Sequence, residues 1–420
     1  MPASQSPLER LSSRSSMAGI SLNVVFLGIV SFLTDVSSEM TLTVLPLFLA
    51  NSLGFSTVAI GVIEGFAETT ASLSKIVSGV LSDKFQRRKG LTLLGYSISA
   101  VSKPLLYFAS QWGMVFAIRL ADRVGKGIRT SPRDALIADS STEDKRGITF
   151  GFHRALDTAG AFVGLGLAGT IIFFSQGTAL QISQETFQLL VLVAAVPGVL
   201  GVLVLAVLVK DIKAASSAKV ASSAKEAFGG KFKLFLCIVV LFSLGNSSDA
   251  FLALRSQNVG LSAFEVVLAL IIFNIVYAVG ATPLGALADR VGKRKVLVSG
   301  WLCYAAVYFG FALVAAAWMV WFLWFLYGVY YAAADGVARA FVADFVPAEQ
   351  RGAAYGVYHA AVGITALPAS LLAGLLWQGL GNWQGFGPAA PFFFGGSLAM
   401  VAAVLFMLCL KPATGNINLR

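Results

Sequence analysis

The chain has 420 residues, of which 57% are apolar and only 12% charged, and its formal net charge is +10. Ordinary soluble domains carry about twice that charged fraction, which excludes a water-soluble globule and places the chain in lipid. The basic surplus lies beside apolar runs, where membrane topology explains it more simply than a nucleic-acid partner does.

Residues 1–19 form a Ser-rich segment carrying Arg10 and Arg14. The apolar stretch behind it runs to Ala50 without a small-residue cleavage site, so the expectation is a retained first helix behind a cytoplasmic tail. Apolar runs bounded by charge, Pro, Gly and Asn predict helices over 20–50, 57–82, 90–109, 114–139, 148–175 and 187–209. A second set is predicted over 233–257, 262–288, 296–316, 318–345, 352–379 and 390–410. Each run is close to the roughly 20 residues that cross a bilayer as a helix, whereas barrel strands would be half as long and alternating. The expected organisation is a bundle over 20–209, a basic linker over 210–233, a second bundle over 234–411 and a tail over 412–420. Lys and Arg mark alternate loops (Lys84 to Lys89, Lys145 and Arg146, the linker, Arg290 to Lys295, Arg351, Lys411) and are missing from the loops between. The positive-inside rule then places both termini in the cytoplasm of a bacterial-type inner membrane. Cys237, Cys303 and Cys409 share no metal or redox spacing and are read as packed or lipid-facing thiols.

The two sets repeat. Gly79-Val-Leu-Ser-Asp83-Lys84-Phe-Gln-Arg87-Arg88 follows the second helix, and Gly285-Ala-Leu-Ala-Asp289-Arg290-Val-Gly-Lys293-Arg294 follows the eighth. Gly54 and Ser56 match Gly260 and Ser262, and Arg146, Gly147 and Gly151 match Arg351, Gly352 and Gly356, all at nearly one offset. These loops resemble the G-x-x-x-D-R-x-G-R-R signature of the major facilitator superfamily. Lys84 and Gln86 depart from it in the first copy, and the second copy is nearly complete. Arg123-Val-Gly-Lys-Gly127 is similar to the family's R-x-x-x-G motif on the fourth helix. Gly160 to Leu165 has the glycines of its antiporter motif without the proline. The resemblance implies an all-α polytopic membrane protein of twelve transmembrane helices, in two six-helix bundles related by pseudo-two-fold symmetry. Independently of any family, Gly79, Asp83, Arg87, Arg88, Gly285, Asp289, Arg290 and Arg294 read as a conformational latch, an acid at a helix end exchanging partners with basic groups. Simple enforcement of topology is the competing reading of the basic residues.

Charges inside spans are costly, about 2.5–3.5 kcal/mol each on insertion scales, and so are informative. The fourth helix carries Arg119, Asp122, Arg123, Lys126, Arg129, Arg133 and Asp134. Steps of three and four place Arg119, Lys126, Arg129 and Arg133 near one face, a basic rail about 21 Å long. Acids stand on other helices: Asp35 and Glu39 on the first, Glu64 and Glu68 on the second, Asp157 on the fifth. Asp35, Glu39, Glu64, Glu68, Arg123 and Asp157 are therefore candidates for proton coupling, with structural ion pairing as the alternative. Arg119, Arg129 and Arg154 are candidate ligands for an anionic substrate. In the second half, Asp249 and Arg255, Asn274, Tyr331, and Asp335 and Arg339 are substrate-site candidates. Asn246 to Asp249 reads as a polar break in the seventh helix. Tyr327, Tyr330, Tyr331 and Tyr358 could meet an amphipathic solute or simply pack. His153 and His359 read as packing or capping residues. Pro46, Pro104, Pro132, Pro197, Pro283 and Pro368 are expected to break or kink spans, and Gly160, Gly164 and Gly166 to allow close crossings.

No Walker motif, metal-ligand cluster or nucleophile with a base is present in the sequence, so no enzyme, cofactor or metal is expected. The reading is a secondary transporter of a small organic solute working by alternating access in the bilayer. It is a proton-coupled exporter in its simplest form, acting as a monomer with solute and protons as its partners. An importer or exchanger of an organic anion is the alternative. A non-transporting membrane sensor is the remote one, since the short tails and linker offer no signalling domain.

Overall fold

The structure is a computed structural model that describes residues 16–17, 20–85, 88–141, 146–211, 228–346 and 351–410. Apart from one two-residue antiparallel pairing of Ser16–Met17 with Ile20–Ser21, the described elements are helical. Twelve helices follow in the expected order. The first half comprises Leu22–Leu42 continued by Leu45–Asn51, Thr57–Phe85, Arg88–Ser102 continued by a 3-10 turn over Lys103–Phe108, Trp112–Asp139, Arg146–Gln176 and Gln184–Leu208. The second half comprises Gly230–Gly245 continued by Ala250–Asn258, Ala263–Val291, Lys293–Leu313, Ala317–Asp344, Arg351–Gln378 and Ala390–Cys409. Among the described residues nine of these are long and apolar enough to cross a bilayer on composition alone. The second, third and fourth are the remaining ones. The second and fourth are interrupted by Glu64, Glu68 and Lys75 and by the eight charges of the fourth helix, and the third is short.

Breaks occur where the backbone chemistry demands them. The first helix pauses at Thr43 and Val44 ahead of Pro46, whose ring removes a donor and crowds the preceding turn. Lys103-Pro104 tightens the end of the third helix into its 3-10 turn. The seventh helix opens at Asn246, where φ is −95° and ψ 79°, and resumes at Ala250. Its freed groups are re-paired: the Tyr304 hydroxyl lies 3.0 Å from the Gly245 carbonyl, and Ser370 Oγ accepts from the Ser248 N–H at 3.2 Å. Pro132, Pro197, Pro283 and Pro368 lie inside continuous helices without breaking them. The eighth helix starts from a capping box in which Ser262 and Glu265 satisfy each other's backbone N–H groups.

Packing divides the chain into two compact units. The first comprises Met1–Thr43, Leu73–Ile171 and Phe187–Ser217, and the second Val44–Ser72, Ile172–Thr186 and Ala218–Arg420. In the first unit an apolar cluster of Val24, Leu27, Val30, Tyr96, Leu136 and Leu205 knits the first, third, fourth and sixth helices. Two glycine crossings set its geometry. A Cβ on Gly95 would stand 2.6 Å from the Gly125 carbonyl, so the third and fourth helices touch backbone to backbone. A Cβ on Gly164 would stand 2.8 Å from the Val36 carbonyl, and Gly160 abuts Phe32, which seats the fifth helix on the first. Gly166, expected at the same seam, faces open space. In the second unit the start of the second helix is sealed to the eleventh. Gly65 abuts Leu367, Gly374 abuts Thr57 and Val58, and the Thr57 N–H donates to Gln378 Oε1 at 2.7 Å.

Candidate functional site

The first unit's glycine crossings bring its charges together. Because the fifth helix lies tight on the first, Asp157 reaches Ser31, whose hydroxyl donates to Asp157 Oδ1 at 2.6 Å. One turn further along, the Asp35 carboxyl meets that of Asp157 at hydrogen-bonding distance. Two ionised carboxylates repel at that range, so such a contact favours a proton between them. Around it, Glu39 accepts from the Thr43 hydroxyl at 2.6 Å, Arg133 Nη1 lies 3.4 Å from Ser31 Oγ, and Arg154 lies 3.6 Å from Asp157 with most of its side chain exposed. Arg133 also pairs with its neighbour Asp134 at 2.9 Å.

Beside this pair stands a residue that charge spacing did not single out. Lys103 is 2% exposed, donates to Ser38 Oγ at 2.9 Å, and lies within electrostatic reach of Asp122, Asp35 and Glu39. Asp122 in turn pairs with Arg119 at 3.7 Å. Arg119, Arg123 and Arg129 are all buried, and the Arg129 guanidinium stacks 4.4 Å over the Tyr96 ring, held there by the Gly95–Gly125 crossing. Lys126 is exposed, so the expected rail keeps Arg119, Arg129 and the half-buried Arg133, gains Arg123 and loses Lys126. His153 is buried in the same neighbourhood as Arg133 and Asp157. Glu64 is buried and Glu68 half-buried, both in the part of the second helix that belongs to the second unit.

The second unit gathers a different set. Tyr327 donates to Asp249 Oδ1 at 2.6 Å, Tyr277 donates to Asp335 Oδ2 at 2.9 Å, and Arg339 pairs with Asp335 four residues earlier. Tyr331 stands between them, its ring 5.1 Å from Tyr327 and 5.8 Å from Tyr277. Two expected members make hydrogen bonds of their own. Arg255 donates to the carbonyls of Phe311, Ala312 and Val314, capping the end of the ninth helix, and Asn274 Nδ2 donates to the Leu270 carbonyl one turn back.

The family model of the Major Facilitator Superfamily matches residues 27–254 and 234–418. The chain belongs to that superfamily. An MFS-type transporter of Methanocaldococcus jannaschii is 35% identical over 395 residues, covering 92% of this chain and 95% of the relative. A protein of Mycobacterium tuberculosis is 28% identical over 371 residues, covering 84% and 86%. Among solved structures, the nucleoside transporter NupG superposes with a TM-score of 0.73 at 16% identity, covering 93% of this chain and 99% of that one. A bacterial homologue of the human lysosomal transporter Spinster gives 0.76 at 16% identity, with 94% and 97% covered. Such identities speak for the fold alone. The chain is thus an all-α, multi-pass membrane transporter of the MFS kind.

The MFS signature loops hold a repeated clamp. Arg88, the first residue of the third helix, donates to the Ala135 carbonyl at 2.8 Å and pairs with Asp139, the last residue of the fourth. Lys293, the first residue of the ninth helix, pairs at 2.8 Å with Asp344, the last of the tenth. Both members recur at one offset (293 − 88 = 205 and 344 − 139 = 205). Each cation also faces the negative end of a helix. Of the other latch candidates, Arg294 donates to the Met407 carbonyl, Asp289 and Arg290 are exposed, Gly79 faces Ser131, and Gly285 has open space. The Asp83 side chain and Arg87 lie outside the described residues.

Proposed function

We propose that this MFS transporter is a proton-coupled carrier that exports a small organic solute across a bacterial-type inner membrane. The Asp35–Asp157 carboxyl pair in the first unit would be its proton-carrying element. The observation that supports this reading is the closeness of the pair: two acids on different helices within hydrogen-bonding contact, an arrangement suited to carrying one proton in common. Cations beside them, the buried Lys103 and the half-buried Arg133, would favour release when they move closer and uptake when they withdraw. A helix shift of an ångström or two suffices to change that balance, because the pair depends on the contact of the first and fifth helices at Gly160 and Gly164. Glu39 and Arg123 would extend the network, and Arg88 and Arg294 would latch the helix ends. The importer or exchanger of an organic anion keeps one argument, the buried Arg119, Arg123 and Arg129. It is weakened because Arg119 is already paired with Asp122 and Arg129 is stacked on Tyr96.

The test is transport by purified protein in proteoliposomes holding a pH-sensitive dye, challenged with a panel of organic cations, neutral solutes and anions. At least one solute should drive a proton flux of opposite direction, and Asp35→Asn should abolish that flux while leaving solute exchange without a gradient. Solute movement indifferent to an imposed pH gradient would refute the coupling.

A further inference from the structure

The second unit contains a tyrosine box whose chemistry is independent of the first unit's charges. Tyr331 meets Phe273, Tyr277, Tyr327 and Tyr330 at centroid distances of 5.2, 5.8, 5.1 and 5.1 Å, with interplanar angles of 83°, 70°, 72° and 75°. Rings set edge to face in this way present π faces in several directions around one point. The two carboxylates Asp249 and Asp335 both lie within electrostatic reach of Tyr331, one on each side of the box. Asp249 stands at the polar break of the seventh helix and accepts a neutral phenol from Tyr327 at 2.6 Å. Asp335 is joined to Arg339. The box has a wall and a backing: Asp249, Tyr277, Tyr331 and Asp335 are half-buried, while Tyr327 and Tyr330 behind them are buried. Packing alone would be met by Phe at every ring, since hydroxyls in a membrane protein interior each need a partner.

We propose that this box binds an organic cation, a substituted ammonium or phosphonium, with its charge at Asp249 and its apolar groups against Tyr277 and Tyr331. The aromatic faces attract a desolvated cation and Asp249 supplies the counter-charge, the combination that recognises quaternary ammonium groups. An anion of the same shape meets the Asp249 carboxylate and aromatic faces of the wrong sign, since Asp335 is already paired with Arg339. The inference rests on the transporter reading above and names the class of its solute.

The experiment is binding of tetraphenylphosphonium, with isosteric tetraphenylborate as control, to the purified full chain in nanodiscs by intrinsic tryptophan fluorescence. The cation should bind at least about tenfold more tightly than the anion. Asp249→Asn should remove most of that preference, and Tyr331→Ala should weaken cation binding about tenfold while Tyr331→Phe keeps it. Equal binding of the two probes to the wild-type chain overturns the proposal whether or not the variants fold, and so does an unchanged preference in a folded Asp249→Asn. Cation selectivity without any accompanying proton flux would remove the coupling reading and leave this site. Proton flux evoked by another solute, with no phosphonium binding, would do the reverse.

Discussion

Lys103 shows most clearly what single residues contribute. A lysine six residues from the predicted end of a span normally extends its stem towards the interface, so its charge carried no signal. Only the 3-10 turn at Lys103-Pro104 aims the ammonium back at Ser38 and the acids of the first helix. Removing one member of a buried charge group leaves its partners uncompensated, at a cost of about 3–5 kcal/mol. Lys103→Met should therefore lower the melting temperature markedly, and adding Asp122→Asn should recover part of the loss; additive losses in that double-mutant cycle would deny their coupling. Asp35, Glu39 and Asp157 were visible in the sequence as intramembrane acids. That Asp35 faces Asp157 was not, since spacing along one helix does not say which faces of two helices meet. Ser31, Ser38 and Tyr96 were silent for a simpler reason, being neutral residues common in any span.

At the level of helices, positions followed directly from apolar length and flanking charge, and every predicted span is matched within a few residues. Interruptions were harder. The seventh-helix break was readable in Asn246 to Asp249 because four consecutive polar residues are expensive in lipid. The pause at Thr43 and Val44 was signalled by Pro46, whereas Pro132, Pro197, Pro283 and Pro368 leave their helices continuous. Glycines divide in the same way: Gly164 presses on the first helix, whereas Gly166 meets nothing within 4 Å. Gly164→Ala should thus destabilise the protein by about 1–3 kcal/mol through overpacking, and Gly166→Ala should be near neutral. Thermal unfolding of the two variants in the same detergent separates them; equal effects would contradict the crossing. The clamps are expected to be unequal too. Arg88–Asp139 is the more buried, so Asp139→Asn should cost more stability than Asp344→Asn, whose half-exposed pair with Lys293 is worth about 0–1 kcal/mol.

For the whole molecule, the repeat was the deepest signal in the sequence, and the clamps at a common offset of 205 are its physical counterpart. The units nevertheless specialise: the first brings carboxylates and guanidiniums together around Asp157, the second sets phenols beside Asp249 and Asp335. The basic loops predict both termini in the cytoplasm. A fluorescent protein fused after Asp211 should therefore light up, and alkaline phosphatase inserted over 177–183 should be active; the opposite pattern would invert the topology. The central claim is that the first unit stores a transferable proton between Asp35 and Asp157. Infrared difference spectroscopy across a pH titration reads that proton directly, as a protonated-carboxyl band that shifts in heavy water. The band should be present in the wild-type protein and lost in Asp35→Asn and in Asp157→Asn. A wild-type spectrum without it, or one unchanged by both substitutions, would contradict the account.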